Sequence, residues 1–171
     1  MLTEAGNIPL VVFDSADVEF AVEQAFNDRM YNAGQATFAA KRFIVNRKVK
    51  AEFVHLLIEK LDRLKAGDPT DPATTLGPLV SSVRAERVSE QIAHTVMQGA
   101  KCLRGGERRG CFITPAVLTG VTENMDVAHD LEIYGPVFSI IDFDDTDEAA
   151  RIVNASARNG VCHIFSRNIG A

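Results

Sequence analysis

Asn32-Ala-Gly-Gln-Ala-Thr-Phe-Ala-Ala-Lys-Arg42 is the stretch on which the fold of this chain turns, because it carries a helical pattern into an extended one through a run of small residues. Upstream of it, Val18, Val22, Phe26 and Met30 recur every four residues with Ala21 and Ala25 beside them, which predicts one apolar helix face from Asp17 onward. Gly34 supplies the stop, since it adopts positive φ without steric cost. Downstream, Arg42-Phe-Ile-Val45 opens an apolar strand that runs to Asn46. Gln35 and Thr37 place short polar groups in the turn, yet its centre holds no acid, base or thiol. A threonine hydroxyl acts as a nucleophile only beside an activating base, and no His, Lys or carboxylate is adjacent to Thr37 in sequence.

The same alternation extends in both directions. Pro9-Leu-Val-Val-Phe13 reads as a strand buried on both faces, because it is almost continuously apolar and ends at Asp14-Ser15. From Lys50 to Leu64, Phe53, Leu57, Leu61 and Leu64 form one stripe and predict a second helix. The segment Lys65 to Pro78 carries three prolines and two glycines and is expected to lack regular structure. A third helix spans about Arg84 to Gln98, with Gly99 as its cap, before the short strand Lys101-Cys-Leu-Arg104. Gly105-Gly106 is a plain turn, since it lacks the glycine spacing and following helix of a dinucleotide cradle. Cys111 to Leu118 contains a mid-run proline and is therefore an edge or interrupted strand. Asp130 to Phe143 leads through Gly135-Pro136 into another buried strand. Asp145 and Glu148 fit a capping box for a helix bearing Ala149, Ile152 and Val153, and Gly160 to Phe165 gives a final strand. Strands alternating with amphipathic helices imply an α/β fold with an open, twisted, largely parallel sheet and flanking helices.

Composition narrows the function classes. The 171 residues fit one domain, and 46% hydrophobic content supplies a sizeable core. Eighteen basic against 23 acidic residues give a net charge of −5 with the signs interspersed, which argues against a nucleic-acid or anionic-lipid partner. Apolar runs such as Ile8-Pro-Leu-Val-Val-Phe13 fall far short of the ~20 residues a membrane span requires, and the start lacks a signal-peptide pattern. A cytoplasmic location is the expectation. Cys102, Cys111 and Cys162 sit in strand-like apolar contexts and are expected to be buried thiols. His55, His94, His129 and His163 lack the paired spacing of metal ligands, so no metal site is expected. The nearest approach to a chemical constellation is Glu132 with Tyr134, before a strand, together with the Gln35 to Thr37 turn. In open α/β sheets ligands gather at strand ends. There Glu132 suits sugar hydroxyls and Tyr134 suits stacking on a ring, against the plainer reading of a solvated acid and a core aromatic.

Taken together, Asn32-Ala-Gly-Gln35, Ala39-Ala-Lys-Arg-Phe-Ile-Val45, Gly67-Asp-Pro69, Leu76-Gly-Pro-Leu79 and Glu132-Ile-Tyr-Gly-Pro-Val137 occur in an order that resembles the aldehyde dehydrogenase superfamily, of the succinate-semialdehyde dehydrogenase type. The likeness covers nearly all of residues 1–171 and corresponds to the catalytic (substrate) domain alone, truncated at both ends and without the Rossmann-type cofactor domain. It implies oxidation of an aldehyde with NAD or NADP, in which a cysteine thiolate attacks the carbonyl, hydride passes to nicotinamide, and a glutamate activates water to release the acid. By resemblance, Glu132 matches the glutamate that binds the nicotinamide ribose, and Tyr134 matches an aromatic, usually Phe, beside the nicotinamide.

The departures from that pattern are specific. The family reads Asn-x-Gly-Gln-x-Cys where this sequence has Thr37, so the nucleophile is replaced by a hydroxyl whose pKa lies far above the thiol value of about 8.5. The general-base glutamate falls, by ungapped counting from Pro9, on Thr3, with Glu4 one place late. The resemblance therefore implies a small aldehyde as substrate and NAD or NADP as cofactor for the family, but a chain without activity and without cofactor binding of its own. Faces that other domains cover in the family would be exposed and would favour a homo-oligomer, or a non-catalytic role in self-association or pairing with a full-length dehydrogenase.

Overall fold

In the computed structural model, which describes residues 6–157 and 160–168, six strands form one sheet in the order β3-β6-β7-β2-β1-β8. In chain order the elements are β1 (Pro9–Val12), α1 (Val18–Met30), β2 (Arg42–Asn46), α2 (Lys50–Asp62), α3 (Ser82–Met97), β3 (Lys101–Arg104), β4 (Arg108–Arg109), β5 (Phe112–Ile113), β6 (Ala116–Val121), β7 (Val137–Phe143), α4 (Thr146–Asn154) and β8 (His163–Phe165). Within this sheet every pairing is parallel except β3 with β6, and β4 pairs with β5 as a separate antiparallel hairpin. The open, largely parallel α/β sheet expected from the alternation is thus present.

Strand residues alternate between two cores, as period-2 side-chain direction requires. Leu10, Val12, Phe43, Val45, Phe138 and Ile140 meet Ala21, Val22 and Ala25 of α1 and Phe53, Leu57 and Leu61 of α2 on one face. Val11, Ile44, Leu118 and Ile141 meet Val88 and Ile92 of α3 and Ala149 and Ile152 of α4 on the other. Complete burial of a Phe or Leu side chain contributes about 1.5–3 kcal/mol, so the two apolar layers fix the central strands β1, β2 and β7.

Several boundaries follow the chemistry that predicted them. Asp17 accepts from the Phe20 amide at 3.1 Å and starts α1. Asp145 accepts from the Glu148 amide at 2.9 Å. The return bond of the capping box goes one residue further out, from the Asp144 amide to Glu148. The Lys65 to Pro78 segment is a loop whose ends are held by the Leu76 amide on the Lys65 carbonyl and the Gly67 amide on the Leu76 carbonyl. Pro115 interrupts the Cys111 to Leu118 run, separating β5 from β6, and β6 lies inside the sheet because the proline stops short of the ladder.

The expectation of buried thiols is overturned. Cys102 and Cys162 are exposed and Cys111 is half-buried. Cys102 lies on β3 at one edge of the sheet and Cys162 just before β8 at the other, where strand-like sequence has only one covered side. The β4–β5 hairpin was not anticipated either, its strands being two residues each.

One buried cation fastens the centre of the sheet to its surroundings. Arg42, fully buried at the start of β2, donates from Nε to the Asn7 carbonyl at 2.8 Å and from Nη1 to the Ala128 and Ile152 carbonyls at 3.0 and 2.7 Å. Its Nη2 donates to the Val153 carbonyl at 3.0 Å. Ile152 and Val153 lie in the last turn of α4, where the Ile152 carbonyl also accepts from the Ala155 amide at 3.3 Å and the helix end favours a positive charge. Burial pushes the guanidinium down to about 10, a shift opposed by Cys162 and Asp130, and that still leaves it protonated at neutral pH. Replacing Arg42 by Met strands several buried carbonyls and is expected to cost about 3–5 kcal/mol of unfolding free energy. Urea denaturation followed by circular dichroism measures the loss, and a change below about 1 kcal/mol would contradict the assignment.

Candidate functional site

The turn after α1 is left-handed. Asn32 and Ala33 adopt φ of 51° and 53°, and Gly34 follows at 76°. The left-handed conformation costs a residue with a β-carbon about 1–2 kcal/mol, so the surroundings must hold Ala33 there. They do so through close contact of two glycines. A β-carbon on Gly34 would lie 2.2 Å from the Gly135 carbonyl oxygen and 2.8 Å from the Pro136 nitrogen. One on Gly135 would lie 2.8 Å from a methyl of Val88 on α3. The turn, the Glu132 to Pro136 loop and helix α3 are therefore stacked at a separation only glycine permits.

Side chains complete the assembly. Gln35 donates from Nε2 to the Asn32 carbonyl at 2.9 Å and accepts at Oε1 from the Val80 amide at 2.9 Å, which ties the turn to the start of α3. Gln91 of α3 donates to the Glu132 carbonyl at 3.0 Å. Glu132 is buried, and the Tyr134 hydroxyl donates to its Oε2 at 2.5 Å. Two cations approach the Tyr134 ring, Lys41 Nζ at 5.1 Å and the Arg84 guanidinium at 5.8 Å from its centre.

Thr37 and the Glu132–Tyr134 pair belong to two segments that touch through Gly34 and Gly135. The two segments lie at strand ends, before β2 and before β7. The turn and the loop enter β2 and β7 at their amino ends, and these strands are parallel with Arg42 opposite Ser139. The general rule places ligands at carboxyl ends, so topology alone does not locate this site. Glu4 lies outside the described residues. Thr37 is exposed, and its hydroxyl makes no hydrogen bond among the described residues; Lys41 reaches its carbonyl instead, at 2.9 Å.

Two basic residues beneath the turn were assigned no role on sequence grounds. Arg29 is fully buried and donates to the Val137 carbonyl at 2.8 Å and the Ile133 carbonyl at 2.5 Å, whereas its Nη1 has no partner among the described residues. Burial pushes it down to about 10, opposed by Asp28 and Tyr134. Lys41, 2% exposed, donates to three carbonyls, and burial followed by repulsion from Arg29 pushes it down to about 8 against the pull of Glu132 and Asp28. Arg29 was detectable: it falls in register with Val18, Val22 and Ala25 on the buried stripe of α1. Among the described residues no cluster of His, Cys, Asp and Glu could hold a metal ion, and no helix is long and apolar enough to cross a membrane.

The left-handed turn, its glycine contact with the 132–136 loop and the Glu132–Tyr134 pair are the features this part of the structure brings together. The profile of the Aldehyde dehydrogenase family matches residues 1–171, and the chain belongs to that family. A succinate-semialdehyde dehydrogenase [NADP(+)] from Mycobacterium avium is 39% identical over 159 residues, covering 91% of this chain and 34% of the relative. The crystal structure of succinate-semialdehyde dehydrogenase from Burkholderia pseudomallei superposes with a TM-score of 0.93 at 36% identity, covering 97% of this chain and 35% of that one. That of betaine aldehyde dehydrogenase from Staphylococcus aureus in complex with NAD+ gives 0.91 at 31% identity, covering 97% and 34%. The chain spans about a third of the length of the curated relatives it matches.

Gly34→Ala tests the contact that assembles the site. It forces a β-carbon into both a left-handed backbone and the Gly135 carbonyl, and is expected to cost about 3 kcal/mol or more. Amide exchange should accelerate in the turn and in the 132–136 loop together. Faster exchange in the turn alone would show that the two segments are not coupled.

Proposed function

We propose that residues 1–171 are the substrate-side, catalytic domain of an NAD(P)-dependent aldehyde dehydrogenase homologue, and that this chain by itself does not oxidise aldehydes. The observation that carries the reading is Thr37. In family chemistry the residue at this position adds to the aldehyde carbonyl, the adduct gives hydride to nicotinamide, and water releases the acid. A thiol reaches its anion near neutral pH, with a free pKa of about 8.5, and a hydroxyl needs a base to do so. Thr37 has no such partner among the described residues, and Lys41 is engaged with main-chain carbonyls.

The cofactor end is chemically matched. Glu132 offers a buried carboxylate suited to accept hydrogen bonds from ribose hydroxyls, although the Tyr134 hydroxyl shares it. The Tyr134 ring, approached by Lys41 and Arg84, suits packing against a flat heterocycle. NAD or NADP, when bound, supplies the hydride acceptor, and these residues would position its nicotinamide ribose. The NAD+ complex of the Staphylococcus aureus structure and the NADP(+) of the Mycobacterium avium enzyme support this assignment by analogy. The aldehydes named in the relatives point to a small aliphatic aldehyde, either carboxylated or quaternary-ammonium.

Incubation with succinate semialdehyde or betaine aldehyde and either cofactor, followed by NAD(P)H absorbance, should give no rate above a heat-killed control. Clear turnover would sink the reading. A second reading, a non-catalytic protein that self-associates or pairs with a full-length dehydrogenase, is favoured by the exposed Tyr31–Phe38 ring pair beside the turn, with centres 5.5 Å apart, and by the edge strands β3 and β8. Light scattering that finds only a monomer would remove the self-associating form.

A further inference from the structure

Lys41 is buried where a lysine is costly, and its surroundings say what it does. An ammonium has three protons, and all three have carbonyl acceptors: Gly6 at 2.9 Å, Thr37 at 2.9 Å and Ala39 at 3.1 Å. The geometry therefore fits the charged form and leaves no lone pair for attack, so Lys41 is not a nucleophile in this arrangement. Its three acceptors belong to the segment entering β1 and to the two sides of residue 38, and only an ammonium tip holds them at one point.

The charges around it are of both signs. From α1, Arg29 faces it as a second buried cation, and Asp28 accepts from the Ala40 amide at 2.7 Å. From the loop before β7 come Glu132 and the Tyr134 ring, and Arg84 of α3 lies over that same ring. Because Nζ is 2.9 Å from the Thr37 carbonyl oxygen, standard bond lengths put the β-carbon of residue 37 within about 6 Å of it. At such a range, with water largely excluded on the Lys41 side, a unit positive charge stabilises an anion appreciably.

We propose that Lys41 is a positioning residue, whose ammonium fixes the carbonyls of Gly6, Thr37 and Ala39 and, with Arg29 behind it, makes residue 37 a place where negative charge on the side chain is stabilised. The turn thereby keeps the electrostatics suited to a thiolate although Thr37 cannot ionise in the accessible pH range. This deepens the reading of residue 37 as the reacting position, and the two fail separately. Dehydrogenase turnover bears on the first and leaves the electrostatics of residue 37 untouched.

The experiment gives residue 37 a titrating reporter. Thr37→Cys is placed in a C102S/C111S/C162S chain, so that it is the single thiol, and its alkylation by iodoacetamide is followed from about pH 5 to 10. The thiol should titrate at least about one unit below its free value of about 8.5. Adding K41M should return it by about one unit, and K41R should keep it low. A merely structural Lys41 would alter stability but not this titration, and a thiol pKa that is the same with and without K41M overturns the proposal. Should K41M fail to fold by circular dichroism, the ¹⁵N resonance of the Lys41 amine is titrated in the Thr37→Cys chain before and after the thiol is capped. Reciprocity of coupled sites requires the amine pKa to fall on capping, and an unchanged value overturns the proposal equally.

Discussion

Close contact between Gly34 and the Gly135 carbonyl is the constraint on which the rest of this site depends. Without a β-carbon at either position, two main chains meet at a separation no side chain permits, and α3 closes on them through Val88. Everything chemical then follows by connection. Gly34 sits three residues before Thr37, and Gly135 sits between the Glu132–Tyr134 pair and β7. The cost of holding Asn32 and Ala33 left-handed is met by this contact and by the bonds of Gln35 to Asn32 and Val80. Strain of this kind gathers where a backbone must present a particular residue in a particular direction.

A second theme is the use of buried cations as main-chain connectors. Arg42, Arg29 and Lys41 together donate to carbonyls from the segment before β1, the turn before β2, the loop before β7 and the end of α4. These lie mostly in irregular segments and at a helix end, where main-chain carbonyls often lack a regular partner. Desolvation lowers each cation's pKa, but the many acceptors favour the charged form, and the guanidiniums remain protonated throughout the physiological range. Helices and strands set the architecture here, and the three cations fix how its irregular connections are arranged around residue 37.

Much of this was legible in the residues. The stripe Val18, Ala21, Val22, Ala25 and the cap Asp17 define α1, the apolar runs at Pro9, Arg42 and Val137 define the central strands, and Gly34 marks the stop between them. What failed to show has a physical reason in each case. Cys102 and Cys162 lie in strand-like sequence, but strand pattern does not say which strands are edges, and exposure depends on sheet order. Arg29 reads as a surface residue in composition although its register with Ala25 puts it in the core. Proximity of the turn to the Glu132 loop comes from β2 pairing β7 across nearly a hundred residues of chain, a long-range fact that local patterns do not contain. The order of the family motifs did carry it, because residues retained together in one sequence reflect a site assembled in space.

In the left-handed turn from Asn32 to Gly34 the backbone is held against the 132–136 loop by the apposition of two glycines. Nuclear Overhauser measurements on the labelled chain test it most directly. Short-range cross-peaks between the α-protons of Gly34 and the δ-protons of Pro136, together with couplings that report positive φ at Asn32 and Ala33, are the predicted result. Absence of those cross-peaks, with Asn32 and Ala33 in ordinary right-handed geometry, would contradict it.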